Sequence, residues 1–283
     1  MLNSALSQPN PAINTALADS ASSPRSGRGR IALRDVSMVF RGSEREHTAL
    51  DRVDLDLHAG AFTALLGPSG CGKSTLLNIV SGMLKPTTGT VSIDGVPVKE
   101  PTPLCNVVFQ QHSLFPWLTA LQNVAFGPRM LGLPDPENIA LELLRMVGLE
   151  RFAKAYPKAL SGGMQQRVAI ARALATKPTL LLMDEPFGAL DAQTRSVMQE
   201  ELLKIWDRFG TSVVFITHDV DEAIYLADRV IVMRTEPGGV KADIAIDLPR
   251  PRSPETLSSP GFERLRKTIH RAVREESLKV FNR

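Results

Sequence analysis

Residues 61–74 read Ala-Phe-Thr-Ala-Leu-Leu-Gly-Pro-Ser-Gly-Cys-Gly-Lys-Ser, an apolar run that breaks into a glycine-rich turn. The run at 61–66 is typical of a short buried strand, and the pattern at 76–84 predicts a buried helix. The turn fits G-x-x-x-x-G-K-[ST], a motif that cradles nucleotide phosphates when it lies between a strand and a helix. This stretch therefore predicts an α/β fold with a phosphate-binding loop.

Each part of this phosphate loop has an expected role. Glycines allow backbone N–H groups to turn towards phosphate oxygens, and the start of the following helix adds positive potential. We expect the Lys73 ammonium to lie at the β and γ phosphates and the Ser74 hydroxyl to bind Mg²⁺. Cys71 occupies a variable position, where its thiol should make the loop sensitive to bulky thiol reagents. The residues assigned to nucleotide binding are Gly67, Pro68, Ser69, Gly70, Cys71, Gly72, Lys73, Ser74 and Thr75.

Two adjacent carboxylates follow a second apolar run, at residues 180–183. A carboxylate at the end of a buried strand can hold Mg²⁺ beside a phosphate loop, and Asp184 fits that role. Glu185 stands one residue later, where it can accept a proton from an attacking water or orient it. The same pattern also fits a strand end capped by solvated acids. Its position downstream of a phosphate loop favours the functional interpretation.

The rest of the chain alternates strand and helix patterns around these motifs. Further strands are predicted at 31–40, 50–57, 90–93, 106–109, 213–216 and 229–233. This order predicts a mainly parallel sheet. Helical periods dominate a segment at about 113–168, which we interpret as an inserted helical subdomain. The predicted organisation is a disordered leader at 1–30, an ATPase domain at 31–233, and a short tail at 234–283 with a terminal helix.

Composition restricts the classes of protein that fit this chain. The 283 residues are 43% hydrophobic and 22% charged, which is typical of a globular protein. Two cysteines favour a reducing compartment, and no apolar run reaches the 18 to 20 residues, roughly, of a membrane span. The net charge of +3 divides into +2 for 1–30, −3 for 31–233 and +4 for 234–283. The slightly acidic centre argues against a nucleic-acid groove, so we expect no nucleic-acid partner.

A second glycine-containing loop precedes the helical pattern at 165–174. It reads Leu160-Ser161-Gly162-Gly163-Met164, and we call it the signature loop. Its three central residues form another helix start suited to an anion. One phosphate group hardly needs two such loops from one subunit. The economical interpretation is that Ser161 and Gly163 serve a nucleotide held by another copy of the chain.

Across residues 31–250, the chain resembles the ATP-binding subunit of ABC transporters. The resemblance implies a P-loop NTPase ABC cassette, with a mainly parallel core sheet, an antiparallel β subdomain and an inserted helical subdomain. It also implies ATP and Mg²⁺ as cofactors, and a head-to-tail dimer in which two copies enclose ATP. One position departs from the family pattern, because Met164 replaces the commoner glutamine.

The resemblance also assigns roles to four single residues. Phe40 matches the aromatic residue that stacks on adenine, although an ordinary strand residue is the alternative. Gln110 matches a glutamine that contacts Mg²⁺ and couples to the transmembrane subunits. Asp191 ends the loop that links the two nucleotide sites. His218, which follows a predicted strand, matches the switch histidine that contacts the γ-phosphate.

Three stretches look like the nitrate/sulfonate/taurine-type importers: residues 109–119, 123–127 and 247–252. This likeness implies transmembrane permease subunits as partners, and indirectly a periplasmic solute-binding protein. It implies a place at the cytoplasmic face of the bacterial inner membrane. Phe115 and Trp117 then lie near the groove that receives a permease helix, or they simply pack internally. The alternative function is a soluble ABC ATPase that acts on ribosomes or DNA.

Overall fold

The computed structural model describes residues 28–41, 46–111, 113–188 and 190–281. Most of the predicted leader therefore lies outside the described residues. Its last three residues do contact the core, because the Gly29 N–H donates to the Asp94 carboxylate and the Ser212 hydroxyl donates to the Arg28 carbonyl. Tertiary contacts thus begin by residue 28.

The described part of the chain alternates strands with helices as the sequence predicts. The strands are β1 (Ile31–Arg41), β2 (Glu46–Leu57), β3 (Phe62–Leu66), β4 (Thr88–Ile93), β5 (Val96–Pro97), β6 (Cys105–Val108), β7 (Leu180–Asp184), β8 (Ser212–Ile216), β9 (Arg229–Arg234) and β10 (Gly239–Ala245). The α-helices are α1 (Lys73–Val80), α2 (Ala120–Met130), α3 (Pro136–Met146), α4 (Gly162–Leu174), α5 (Ala192–Phe209), α6 (Val220–Leu226) and α7 (Pro260–Phe281).

The core sheet has the strand order β10-β9-β3-β8-β7-β6. All its pairings are parallel except that of β10 with β9, which confirms the prediction of a mainly parallel sheet. A second sheet, in the order β2-β1-β4-β5, is antiparallel and forms the predicted β subdomain. Parallel strands end at one common edge, so the loops after β3, β6, β7 and β8 meet there.

Both faces of the core sheet are covered. Alternate residues of β3 point to opposite sides of the sheet, and each side packs into a different cluster. Phe62 and Leu66 pack into a cluster formed with the helices α2 to α7. Leu65 packs into a second cluster, formed with α1 and the antiparallel sheet. Since β3 is buried on both faces, the loop that follows it starts from a rigid support.

The inserted segment is helical, as predicted, and its helices begin at recognisable signals. Thr119 caps α2, and its hydroxyl accepts from the Gln122 N–H while the Gln122 side chain accepts from the Thr119 N–H. Pro136 stands at the first position of α3, where a missing N–H costs nothing. Among the described helices, none combines the length and apolar character that crossing a membrane requires.

Three local expectations differ from the structure. The helix predicted at 76–84 is α1, which begins at Lys73 and ends at Val80, before Gly82 turns the chain with a φ of +78°. The helix predicted at 165–174 begins earlier, at Gly162. The i,i+4 spacing of Glu200 and Lys204 predicts a pair between them, but Lys204 bonds Glu201, three residues before it. The domain boundaries at 30, 113–168 and 233 stay predictions.

The segment after Met233 contributes an edge strand, β10, that was not predicted from the sequence. The predicted terminal helix is α7, and its Phe262 and Ile269 are fully buried in the main core cluster. Its Glu276 is also fully buried, where Oε2 accepts from the Thr235 N–H at 2.9 Å and Oε1 lies 2.7 Å from Lys279 Nζ. This segment is therefore packed against the core sheet.

We expect Glu276→Gln to destabilise the fold by about 2 kcal/mol at pH 7. Burial alone would raise the pKa of Glu276, but hydrogen bonds from Lys279, the Thr235 N–H and Lys241 lower it from 4.5 to about 2. The carboxylate thus stabilises the fold above pH 4.5, and this contribution is lost as the pH falls towards 2. Urea unfolding at pH 7 and pH 3 should show the difference between wild type and variant shrinking in acid.

The neighbouring Glu275 provides a matched control for this prediction. Its side chain is exposed and also bonds Lys241, so Glu275→Gln should cost much less stability. Equal losses for the two variants would contradict the assigned role of the buried carboxylate.

Candidate functional site

The loop between β3 and α1 has the geometry of a phosphate cradle. Gly72 caps α1 in the left-handed region, with a φ of +95°. A Cβ on Gly72 would lie 2.6 Å from Leu50 Cδ2 and 2.8 Å from the Ala49 carbonyl oxygen. Gly70 also has a positive φ, of +80°, but open space surrounds its α carbon. The positive φ at both positions, and the close contacts at Gly72, explain why the motif has glycine there.

Lys73 is a buried cation, only 8% exposed. Its Nζ donates to the Gly67 carbonyl at 2.7 Å and to the Pro68 carbonyl at 3.0 Å. In the described part of the chain it has no carboxylate partner within ion-pair distance. Cys71 Sγ, at 3.7 Å, is a third neutral partner of Lys73 Nζ. A buried charge held only by neutral groups is matched by an incoming anion. The residues present therefore fit a bound phosphate.

A cavity of about 220 Å³ opens beside the loop, and we call it the phosphate cavity. Phe40, at 42% exposure, faces this space instead of the core, as does His47, its partner across β1 and β2. No local sequence pattern points to His47, because only the strand register brings it here. The lining residues are Phe40, His47, Ala49, Gly70, Gly72, Lys73, Ser74 and Thr75.

Cys71 differs from its expected behaviour. Its side chain is fully buried, and burial raises the pKa of the thiol, although the nearby Lys73 opposes that rise. The thiolate is the reactive form of cysteine. The structure therefore argues against the expected sensitivity to bulky thiol reagents, and it leaves the backbone of Cys71 as the part that can meet a phosphate. Pro68 and Ser69 precede it at the partly open mouth of the loop.

Ser74 and Asp184 meet between α1 and the end of β7. The Ser74 hydroxyl lies close enough to the Asp184 carboxylate to lower its pKa. Burial raises the pKa of Asp184 and Glu185 adds to that rise, while Ser74 and Lys73 oppose it. A hydroxyl and a partly buried carboxylate beside a phosphate cradle are oxygen ligands suited to Mg²⁺. The site thus fits the predicted metal.

Glu185, His218 and Gln110 converge from the loops after β7, β8 and β6. His218 Nδ1 lies 3.3 Å from Glu185 Oε2. A Cβ on Gly188 would lie 3.8 Å from both Gln110 Nε2 and Glu185 Oε2. Glu185 itself has a φ of +45°, which is unfavourable for a residue with a side chain. Strain of this kind is concentrated at functional sites.

The signature loop lies elsewhere. Ser161 caps α4, because its hydroxyl accepts from the Met164 N–H at 3.3 Å. A Cβ on Gly163 would lie 3.0 Å from Thr194 Cγ2, so this loop packs against the start of α5. Asp191 caps α5, and the Thr194 N–H it accepts lowers its pKa.

The structure thus brings the predicted residues together in two groups. One group lies at the phosphate loop and the loops after β6, β7 and β8, and the other lies at the signature loop and the start of α5. The residues that line the phosphate cavity do not include Ser161, Gly162 or Gly163. Ser161 and Gly162 are exposed, and they leave the positive end of α4 open to an anion from outside this chain.

An aromatic group projects from the loop before α2. Phe115 contacts Trp117 and Phe126, with ring centroids 5.7 Å and 4.7 Å apart. Trp117 is nevertheless 69% exposed, and Arg172 lies 5.4 Å from the Phe115 ring centroid. Internal packing therefore explains Phe115 and leaves Trp117 as an exposed apolar surface.

Comparison with known proteins agrees with this geometry. A family model described as ABC transporter matches residues 50–188. The taurine import ATP-binding protein TauB of Rhizobium johnstonii is 50% identical over 245 residues, which cover 83% of this chain and 93% of that protein. The nitrate import ATP-binding protein NrtD of Synechocystis sp. is 47% identical over 221 residues, with coverages of 77% and 83%.

A third relative and a solved structure extend the comparison. The aliphatic sulfonates import ATP-binding protein SsuB of Bacillus cereus is 44% identical over 241 residues, covering 84% of this chain and 94% of that protein. A solved structure described as a dimeric, post-hydrolysis state of an ATP-binding cassette bound to ADP and Pi has a TM-score of 0.68 and 36% identity. It covers 77% of this chain and 99% of that chain.

Proposed function

Because this chain belongs to the ABC transporter family, we propose that it is the ATP-hydrolysing, energy-coupling subunit of an importer at the cytoplasmic face of the bacterial inner membrane. The observation that carries this proposal is its identity of 44–50%, over most of its length, to import ATP-binding proteins. Permease subunits are then its membrane partners, and a periplasmic solute-binding protein acts with it indirectly.

We assign the binding of ATP to the phosphate loop and to β1. Lys73 exchanges its two carbonyl contacts for phosphate oxygens, and the N–H groups of the loop and α1 add donors. Phe40 offers its exposed ring as a stacking surface for adenine. The remaining contacts come from the backbone of residues 67–75.

The metal site is assigned to Ser74, Asp184 and Gln110. Mg²⁺ held by these residues would supply positive charge against the negative charge that develops on the phosphate. The described residues contain no cluster of three His, Cys, Asp or Glu side chains of the kind that holds a metal by protein ligands alone. A small number of protein ligands is typical of a Mg²⁺ site, because this ion retains waters and takes phosphate oxygens.

Hydrolysis is assigned to the group that meets beyond β7. The Glu185 carboxylate accepts a proton from the attacking water or orients it, at the position where His218 and Gln110 also meet. His218 donates to the γ-phosphate and stabilises the charge on it. Gln110 links this group to the segment that carries the aromatic surface around Trp117.

We assign the signature loop to the nucleotide of a second copy. Two copies placed head to tail bring Ser161 and Gly163 of each to the phosphate loop of the other. Closure of the two copies around ATP draws the permease subunits into one conformational state, and hydrolysis releases them from that state. Trp117 and its neighbours are the surface we assign to the permease contact.

Small anions such as nitrate, taurine or an alkanesulfonate are the proposed solutes, after the relatives named above. The solute itself is bound by other subunits. The named relatives favour import over the alternative of a soluble ABC ATPase acting on ribosomes or DNA.

Mixing two inactive variants tests the shared site. We expect Lys73→Ala and Ser161→Asp each to lose ATPase activity, since the first removes the phosphate cation and the second places a negative charge against the γ-phosphate. Half of the mixed dimers contain one of each chain and keep one intact site, so an equimolar mixture should recover roughly a quarter of the activity. Cells should take up one of the three proposed anions, supplied in labelled form, and Lys73→Ala should abolish that uptake.

Ser161→Asn is the matched control, because Asn and Asp cap a helix about as well as Ser does. It should retain most of the activity, which separates the effect of charge from loss of the cap. A mixture that stays inactive would show that Lys73 and Ser161 do not serve one site across two copies.

A further inference from the structure

The helix that follows His218 is short and is held at both ends by arginines of the C-terminal segment. This helix, α6, has only seven residues. An isolated helix of that length is unstable in water, because too few hydrogen bonds repay its nucleation. Its position, and that of the histidine before it, therefore depends on contacts with the rest of the protein.

Arg266 of α7 holds the first turn of α6. Its Nε and Nη2 donate to Oδ1 and Oδ2 of Asp221, both at 2.7 Å. A two-point pair between guanidinium and carboxylate fixes orientation as well as distance. Asp221 is three residues after His218, so this pair acts on the turn that leads out of the switch loop.

Two further arginines hold the last turn of α6. Arg252 Nη1 donates to the carbonyls of Ile224, Tyr225 and Ala227, at 2.9, 3.1 and 2.6 Å. Arg250 Nη2 donates to the Leu226 carbonyl at 2.7 Å. These carbonyls lack partners within the helix, and they carry its negative end.

The charge on Arg252 has no other evident role in the described part of the chain. The residue is only 7% exposed and has no carboxylate within ion-pair distance there. Burial, and then the nearby Arg250, lower its pKa to about 10, so it stays protonated at neutral pH. A buried cation of this kind is retained where its donors are needed.

We propose that residues 250–281 form a clamp on α6 that positions His218 for hydrolysis, with Arg266 as the positioning residue at its N-terminal end and Arg250 and Arg252 at its C-terminal end. The clamp rests on the proposed function, because it acts through the γ-phosphate contact assigned to His218. Contacts from α5 are independent of it: Gln199 bonds Glu222 at 2.9 Å, and Arg195 lies 3.6 Å from Asp219. These contacts should keep α6 folded when the clamp is weakened.

The test combines kinetics with hydrogen exchange in Arg266→Ala, Asp221→Asn and the double variant. We expect each to lower kcat about fivefold, with KM and ATP affinity unchanged, and the double variant to add little to either single change. Amides of residues 217–228 should exchange about tenfold faster, while those of α1 stay as in wild type. Arg271→Ala is the matched control, since Arg271 is exposed on the same helix, and it should change neither quantity.

Restoring the pair in reverse separates positioning from simple packing. The variant with both Arg266→Asp and Asp221→Arg should regain part of the lost kcat, which a purely structural role for either side chain would not produce. Faster exchange with an unchanged kcat would overturn the proposal, as would an unchanged exchange rate. If wild type hydrolyses no ATP, the proposed function fails, and the exchange rates still decide whether Arg266 restrains α6.

Discussion

Glu185→Gln is expected to lower kcat for ATP at least about 100-fold, while ATP affinity stays within about twofold of wild type. The glutamine amide has nearly the shape of the carboxylate but cannot accept the proton of the attacking water. Lys73 and the phosphate loop, which bind the nucleotide, are unaltered by the change. Because hydrolysis is blocked and binding is retained, a dimer closed around ATP should accumulate.

Single-turnover hydrolysis and size-exclusion chromatography with ATP measure these two effects. Glu200→Gln is the control, because Glu200 is a partly exposed carboxylate on α5, outside the converging group after β7. It should hydrolyse ATP as wild type does and remain monomeric after turnover. If Glu185→Gln hydrolyses ATP at the wild-type rate, Glu185 is not the base.

Gly72→Ala is expected to destabilise the protein by about 3 kcal/mol and to abolish ATP binding. A left-handed φ of +95° costs a residue with a side chain about 1 to 2 kcal/mol. The added methyl group also overlaps Leu50 Cδ2, at 2.6 Å, and the Ala49 carbonyl oxygen, at 2.8 Å. Relief of these contacts requires the start of α1 to move, and with it the donors for phosphate.

Gly70→Ala separates the two causes. Its φ of +80° carries a similar conformational cost, but a Cβ there meets no atom within 4 Å. We expect a loss of about 1 kcal/mol and nearly normal ATP affinity, measured by urea unfolding and by titration with a fluorescent ATP analogue. Equal effects from the two substitutions would mean that the close approach to β2 is unimportant.

The sequence predicted most of the candidate site because its signals are local. The phosphate loop, the carboxylates after β7 and the histidine after β8 each follow a recognisable buried strand. Parallel strands then bring those loops to one edge without further information from the sequence. The family resemblance supplied the order of the motifs and the expectation of a second copy.

The features that were missed depend on contacts between distant residues. His47 reaches the phosphate cavity only through its register opposite Phe40. In the sequence, the arginines at 250, 252 and 266 only add to the positive charge of the tail, whereas the structure gives them carbonyl and carboxylate partners on α6 and Asp228. No local pattern identifies such partners, because each is set by how β9, β10 and α7 pack.

The late position of β10 and α7 affects how the protein folds during synthesis. The parallel strands are complete once β9 has left the ribosome. The outer edge of β9, and the part of the core cluster that Phe262 later fills, are then still uncovered. Synthesis of residues 239–281 takes roughly 2 to 9 s at 5–20 residues per second. Throughout that interval the nascent chain presents an unpaired strand edge and an open apolar site to other polypeptides. The core is therefore completed only after residues 239–281 have been made, and binding of a chaperone would be most useful during that interval.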